Sequence, residues 1–143
     1  MRASRASALS ILALVAASTG LASSANAELI VGLNAAGQLV SFDSSAAGAV
    51  LNTSPAISGL SAGDSITDID YYPVTGALYG IGGSTGTLYR IDRLTGVATV
   101  DAVPQSSLGG PTDIDFNPAA DRLRVFSAND ANFRLTPSVN PAG

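Results

Sequence analysis

From residue 29 onward, apolar residues come in runs of four to seven positions, and each run is closed by a cluster of Gly, Pro, Asn, Ser or Thr. The runs are Leu29 to Leu33, Gln38 to Phe42, Ser65 to Tyr71, Ala77 to Ile81, Thr87 to Ile91, Val97 to Val100, Thr112 to Phe116, Arg122 to Phe126 and Asn132 to Leu135. They are rich in Ile, Val, Leu, Tyr and Thr, and no stretch keeps a helical period. Between them stand Asn34-Ala35-Ala36-Gly37, Pro73-Val74-Thr75-Gly76, Gly82-Gly83-Ser84-Thr85-Gly86, Leu94-Thr95-Gly96 and Asn117-Pro118-Ala119-Ala120. Glycine supplies positive backbone dihedrals and proline fixes a negative one, so each cluster predicts a turn. Short strands at close spacing, joined by turns, predict an all-β domain.

The pattern repeats. "TDIDYYP-TGALYG", beginning at Thr67, aligns with "TDIDFNP-ADRLRV", beginning at Thr112, at a period of 45 residues. "LYGIGGSTGTLYRID" at 78–92 aligns more loosely with "LIVGLNAAGQLVSFD" at 29–43. The unit reads strand, Pro turn, strand, Gly turn, strand, Thr-Gly turn, strand. Four antiparallel strands in some 40 to 50 residues predict a β-propeller-like blade. Stacked blades cover both faces of their middle strands, which accounts for the missing polar alternation in "ALYGI" and "VATV". An immunoglobulin-like sandwich would not require a whole unit to recur. The units fall at about 29–64, 65–110 and 111–143, the first starting at its second strand and the third stopping before its last. A closed propeller needs at least four blades, so the expectation is an incomplete, open partial propeller, as in a piece of a longer protein.

Residues 1–27 read differently. Arg2 and Arg5 precede the apolar run "ALSILALVAA" and a small-residue ending, Ala25-Asn26-Ala27. This is the plan of a secretory signal peptide with an A-x-A cleavage site, and the apolar run is about half the ~20 residues a membrane span needs. The expected product is a secreted or periplasmic domain beginning at Glu28, with no membrane span.

Composition removes chemistry. The chain has no His, Cys, Lys or Trp. Without His or Cys there is no Ser-His-Asp or Cys-His nucleophile and no zinc site of the usual ligands; without Lys there is no Schiff base and no P-loop lysine. The Gly82 to Gly86 loop, lacking Lys and a following helix, reads as a hairpin turn. From Glu28 on, eleven acidic residues face five arginines, a balance of minus six. That balance repels nucleic acid.

"GLSAGDSITDIDYYPVTGALYGIG", "TDIDFNPAADRLRV" and "NFRLTP" resemble the bacterial family catalogued as domain of unknown function 4394. Its members carry a G-D-F-N-P-x-x-D-R-I-R-V stretch followed by N-L-R-L-N-P. The resemblance spans residues 29 to 143 and departs from the family pattern by ending where its domain is about half complete. It implies export and a repeat-built, propeller-like fold, and it brings no activity with it.

Two constellations carry candidate chemistry. On a strand, Asp68 and Asp70 share one face, as do Asp113 and Asp115. In one reading Asp70 and Asp115 accept hydrogen bonds from turn amides; in the other the two pairs supply oxygen ligands to calcium, the one hard-metal chemistry this composition permits. Arg122, Arg124 and Arg134, on successive strands, are placed to clamp a carboxylate or sulfate, or else pair with Asp113, Asp115 or Asp121 nearby.

Two functions follow. The first is an exported non-catalytic binding or scaffold module, needing no cofactor. The second is a calcium-dependent hydrolase of the propeller lactonase kind. The expected partner is a ligand or protein, not nucleic acid, and open sheet edges invite self-association.

Overall fold

The computed structural model describes residues 27–46 and 48–137. The signal-peptide reading therefore lies outside the described residues, apart from Ala27. All nine expected strands form, and a tenth appears between the second and third of them. In chain order they are β1 (Leu29–Leu33), β2 (Gln38–Asp43), β3 (Val50–Ala56), β4 (Ile66–Tyr72), β5 (Ala77–Gly82), β6 (Leu88–Ile91), β7 (Ala98–Ala102), β8 (Pro111–Asn117), β9 (Arg122–Ser127) and β10 (Asn132–Leu135). A short 3-10 turn, Ser44–Ala46, joins β2 to β3.

The strands make three antiparallel sheets: β1-β2-β3, the four-stranded meander β4-β5-β6-β7, and β8-β9-β10. Among the described residues none of them closes into a barrel. The turn chemistry is that of the sequence. Gly76 closes the β4–β5 turn with φ 68° while its N–H donates to the Tyr72 carbonyl at 2.8 Å. Asp121 stands at the matching place in the β8–β9 turn with φ 50°. Asp tolerates the left-handed region better than most residues, and its carboxylate is held there by the Tyr72 hydroxyl of the neighbouring sheet.

β3 escaped the sequence reading because it is polar, mostly exposed and contains Pro55. Proline cannot donate to a ladder, so it fits an edge strand. Here β3 is the outer edge of its sheet, and its register against β2 is broken twice. The buried Ser54 repairs one irregularity: its hydroxyl accepts the Leu39 N–H at 3.0 Å and donates to the Pro55 carbonyl at 2.6 Å.

Two apolar clusters hold the sheets together. The first and second sheets bury Leu39, Leu78, Tyr89, Ile91 and Ala98, with Val31, Leu33, Ile66, Ile69 and Tyr71 packed around them. The second and third bury Tyr72, Tyr79, Ile81, Leu88, Ile114, Phe116, Leu123 and Val125, with Leu108 from the connecting loop. The middle sheet is covered on both sides, which is why β5 is buried from Leu78 to Gly82. The β3–β4 connection is tied down where Ser58 bridges Val97. There a Cβ on Gly59 would stand 2.3 Å from the Ala98 carbonyl oxygen, so only glycine allows the approach.

Candidate functional site

The repeated Thr-Asp-Ile-Asp segment lies on β4 and again on β8, the edge strands at which the second and third sheets meet. On β4 every polar side chain of that segment addresses the backbone of β8. The Thr67 hydroxyl donates to the Pro111 carbonyl at 3.0 Å. Asp68 Oδ2 accepts the Ile114 N–H at 2.8 Å, and Asp70 Oδ2 accepts the Phe116 N–H at 2.7 Å. The partners advance together along both strands, so β4 and β8 run parallel, with carboxylates standing where a sheet would use main-chain carbonyls. Ile114 and Phe116 are themselves buried, and an amide N–H at such a position costs ~1–3 kcal/mol if left without an acceptor. Asp70 Oδ1 also accepts the Tyr71 N–H at 2.8 Å. The Tyr71 amide belongs to the Tyr-Tyr-Pro segment to which the sequence reading assigned Asp70, and the bonds to the next sheet are additional to that reading.

Asp113 and Asp115 occupy the same register on β8. Asp113 lies opposite Phe126 and Asp115 opposite Arg124, as Asp68 lies opposite Ile81 and Asp70 opposite Tyr79. Both are exposed. The carboxyls of Asp68 and Asp113 meet across the sheet boundary. Burial, together with the Asp113 carboxyl beside it, pushes Asp68 above the usual carboxylate range despite the Ile114 amide.

The arginines share one face of the third sheet without converging on a pocket. Arg124 is paired in register with Asp115 on one side and Arg134 on the other, and Arg122 with Asn117. The Arg122 guanidinium donates to the Asp121 carbonyl at 2.8 Å.

Sequence reasoning passed over Asp64, which organises more contacts than any candidate above. It precedes β4 and accepts the Ser84 and Ser65 amides at 3.0 and 3.1 Å and the hydroxyls of Thr85 and Tyr89 at 2.5 and 3.0 Å. Burial works to raise its pKa, but the four hydrogen bonds together outweigh it and hold the carboxyl below the ordinary value. A Cβ on Gly82 would lie 2.0 Å from Asp64 Oδ2, so the glycine that ends β5 makes room for this carboxylate. The only signal was Gly-Asp-Ser ahead of one strand and Gly-Gly-Ser-Thr-Gly after another, and nothing local links them. Asp92 is a simpler case: its side chain accepts the Leu94 and Thr95 amides, both at 2.9 Å, which lowers its pKa and shapes the Thr-Gly turn.

A cleft of about 500 Å³ opens between the first and second sheets, walled by Leu33, Ile57, Leu60 and Ile66. Two of its polar side chains, Asp64 and Asn34, are engaged within the protein. Asp64 is filled as described, and Asn34 Oδ1 accepts the Ala36 and Gln38 amides at 2.9 and 3.0 Å. Among the described residues no group of three or more Asp or Glu side chains gathers as a metal cage, and no helix is long and apolar enough to cross a membrane.

The carboxylates predict opposing pH dependences. Asp68 has a raised folded pKa, so its stabilisation is complete below the unfolded value of about 3.9 and is lost as pH climbs through the folded value. Asp64 and Asp92 have lowered values, so theirs is present above that point and lost as pH falls. Asp113→Asn removes the charge that opposes Asp68. Its stability gain over the parent, read by urea unfolding, is expected to grow as pH rises through the raised titration range of Asp68. A gain that does not change with pH would separate the two carboxyls.

A family model described as "Domain of unknown function (DUF4394)" matches residues 38–142. No curated protein and no solved structure matches the chain.

Proposed function

We propose, from the premise that the chain belongs to the DUF4394 family of domains of unknown function, that it is a non-catalytic binding or scaffold module. Its sheets are read as successive blades of a propeller-like array, and its compartment, from the leader sequence, as secreted or periplasmic. The observation that carries this reading is the engagement of Asp68 and Asp70 with the Ile114 and Phe116 amides. The most conspicuous repeated carboxylates in the chain work as joints between sheets. A carboxylate oxygen accepting a short charge-assisted bond from a buried amide has a structural duty, and a rigid frame of this kind leaves recognition to surface residues and loops.

One observation favours the second reading, a calcium-dependent hydrolase of the propeller lactonase kind. Asp68 and Asp113 bring two carboxyls together at the boundary between sheets, a start on the oxygen-rich shell that calcium takes. Calorimetric titration of the chain with calcium chloride tests the choice. The module reading expects no binding heat and no thermal shift. Binding at micromolar calcium that disappears in an Asp113→Asn/Asp115→Asn variant would replace it with the calcium enzyme.

A further inference from the structure

The face of the third sheet turned away from the second carries Asp113 and Asp115 on β8 and Arg124 and Phe126 on β9. One repeat earlier, the matching face of the second sheet carries Asp68, Asp70, Tyr79 and Ile81, and it is covered by β8. The comparison fixes what such an aspartate pair does in this fold. On β4 the two carboxylates, two residues apart, take two backbone N–H groups, two residues apart, from a parallel strand. On β8 the same pair stands at the same register and is exposed, with the Asp113 carboxyl also reaching that of Asp68 at the sheet boundary.

We propose that Asp113 and Asp115 form a docking edge for a further extended segment of the Thr-Asp-Ile-Asp-aromatic type, accepting two of its backbone N–H groups as Asp68 and Asp70 accept those of Ile114 and Phe116. An acidic pair alone would fit many cations; the ligand chemistry here is set by the occupied copy of the pair in the same molecule. The incoming strand is parallel, because the bonds between β4 and β8 advance in the same direction along both strands. Its aromatic residue has a partner as well. Phe116 packs on Tyr79, ring centroids 5.4 Å apart, and Arg124 stands where Tyr79 stands in the earlier repeat. An incoming aromatic ring therefore meets a guanidinium beside Phe126, a favourable cation–π pairing. The proposal rests on the equivalence of the repeats and not on whether the module binds calcium, so the calcium titration and the experiment below fail independently.

The probe is a synthetic peptide with the sequence of residues 109–119, Gly-Gly-Pro-Thr-Asp-Ile-Asp-Phe-Asn-Pro-Ala. It is the strand that bonds Asp68 and Asp70, so within the folded chain the matching pair still exposed is Asp113 and Asp115. Titrated into the isotope-labelled full chain, it is expected to shift amide resonances of residues 113–116 and 124–126. Asp113→Ala/Asp115→Ala is expected to weaken binding about tenfold or more with a melting temperature no lower than the parent's, since both residues are exposed and Asp113 opposes Asp68. A peptide N-methylated at its isoleucine and phenylalanine, which lacks the two donors, is expected to show the same loss. The proposal is overturned by the absence of shifts at about 1 mM peptide, by binding that survives N-methylation or the double variant, or by shifts confined to residues 67–71.

Discussion

A chain in which Asp68 and Asp70 are both alanine is expected to lose about 3 kcal/mol of stability, from two charge-assisted bonds worth ~1.5–3 kcal/mol each less the repulsion that Asp113 imposes on Asp68. The loss is a large part of the ~5–15 kcal/mol that a domain possesses. It arises because the Ile114 and Phe116 amides remain buried once their acceptors are gone. The single variants should divide it unequally. Asp70→Ala should cost more than Asp68→Ala, since removing Asp68 also relieves its unfavourable meeting with Asp113. Asp68→Asn/Asp70→Asn should retain most of the stability, because an amide oxygen still accepts. Urea unfolding of the four variants decides the matter: an alanine double variant within about 0.5 kcal/mol of the parent, the range of an ordinary surface change, would mean that apolar packing alone joins the sheets.

Phe116→Ala should be costlier still, about 3–5 kcal/mol, as for other buried phenylalanines. Phe116 is 5% exposed, and its ring centroid lies 4.8 Å from that of Tyr72 and 5.4 Å from that of Tyr79. Tyr72 is anchored in turn by the Asp121 carboxylate, which accepts a hydrogen bond from its hydroxyl and, with burial, pushes the phenol up to about 12. Deleting the Phe116 ring empties the centre of this triad and should reduce near-ultraviolet dichroism from both tyrosines along with stability. Phe126→Ala is the control, since that ring is 38% exposed on the open face. An equal cost for the two substitutions would count against the packing described between the second and third sheets.

The strands were readable from sequence where apolar runs were flanked by Gly or Pro, and the middle sheet was the clearest because its strands are buried on both sides. β3 was not readable. Its burial is confined to Ser54 and it contains proline, so neither alternation nor an apolar run marked it. The loose alignment of 29–43 with 78–92 holds for β2 but slips by one residue in β1. Five residues separate the paired Leu33 and Leu39, against six between Ile81 and Leu88, and a strand shifted by one residue turns its other face to the core. The Asp-x-Asp pairs were found at once as a repeated oddity, yet their role was not. The bonds to Ile114 and Phe116 span 46 residues, and local reasoning saw only the turn next door. The three arginines were correctly placed on adjacent strands, but spacing could not show that they spread along an open face. Asp64 was invisible for the same reason as the Asp68 and Asp70 bonds, with hydrogen-bond partners 20 to 25 residues downstream.

The carboxylates of β4 also govern how the protein behaves in a crowd. An edge strand such as β8 would ordinarily leave a row of main-chain donors along its free side, a template on which a foreign chain can grow a β-ladder. Two of those donors are already satisfied by side chains too short and too charged to extend a ladder. Aggregation seeded from that margin of the fold is therefore blocked at its first step, and the outermost margin at β3 is guarded separately by Pro55.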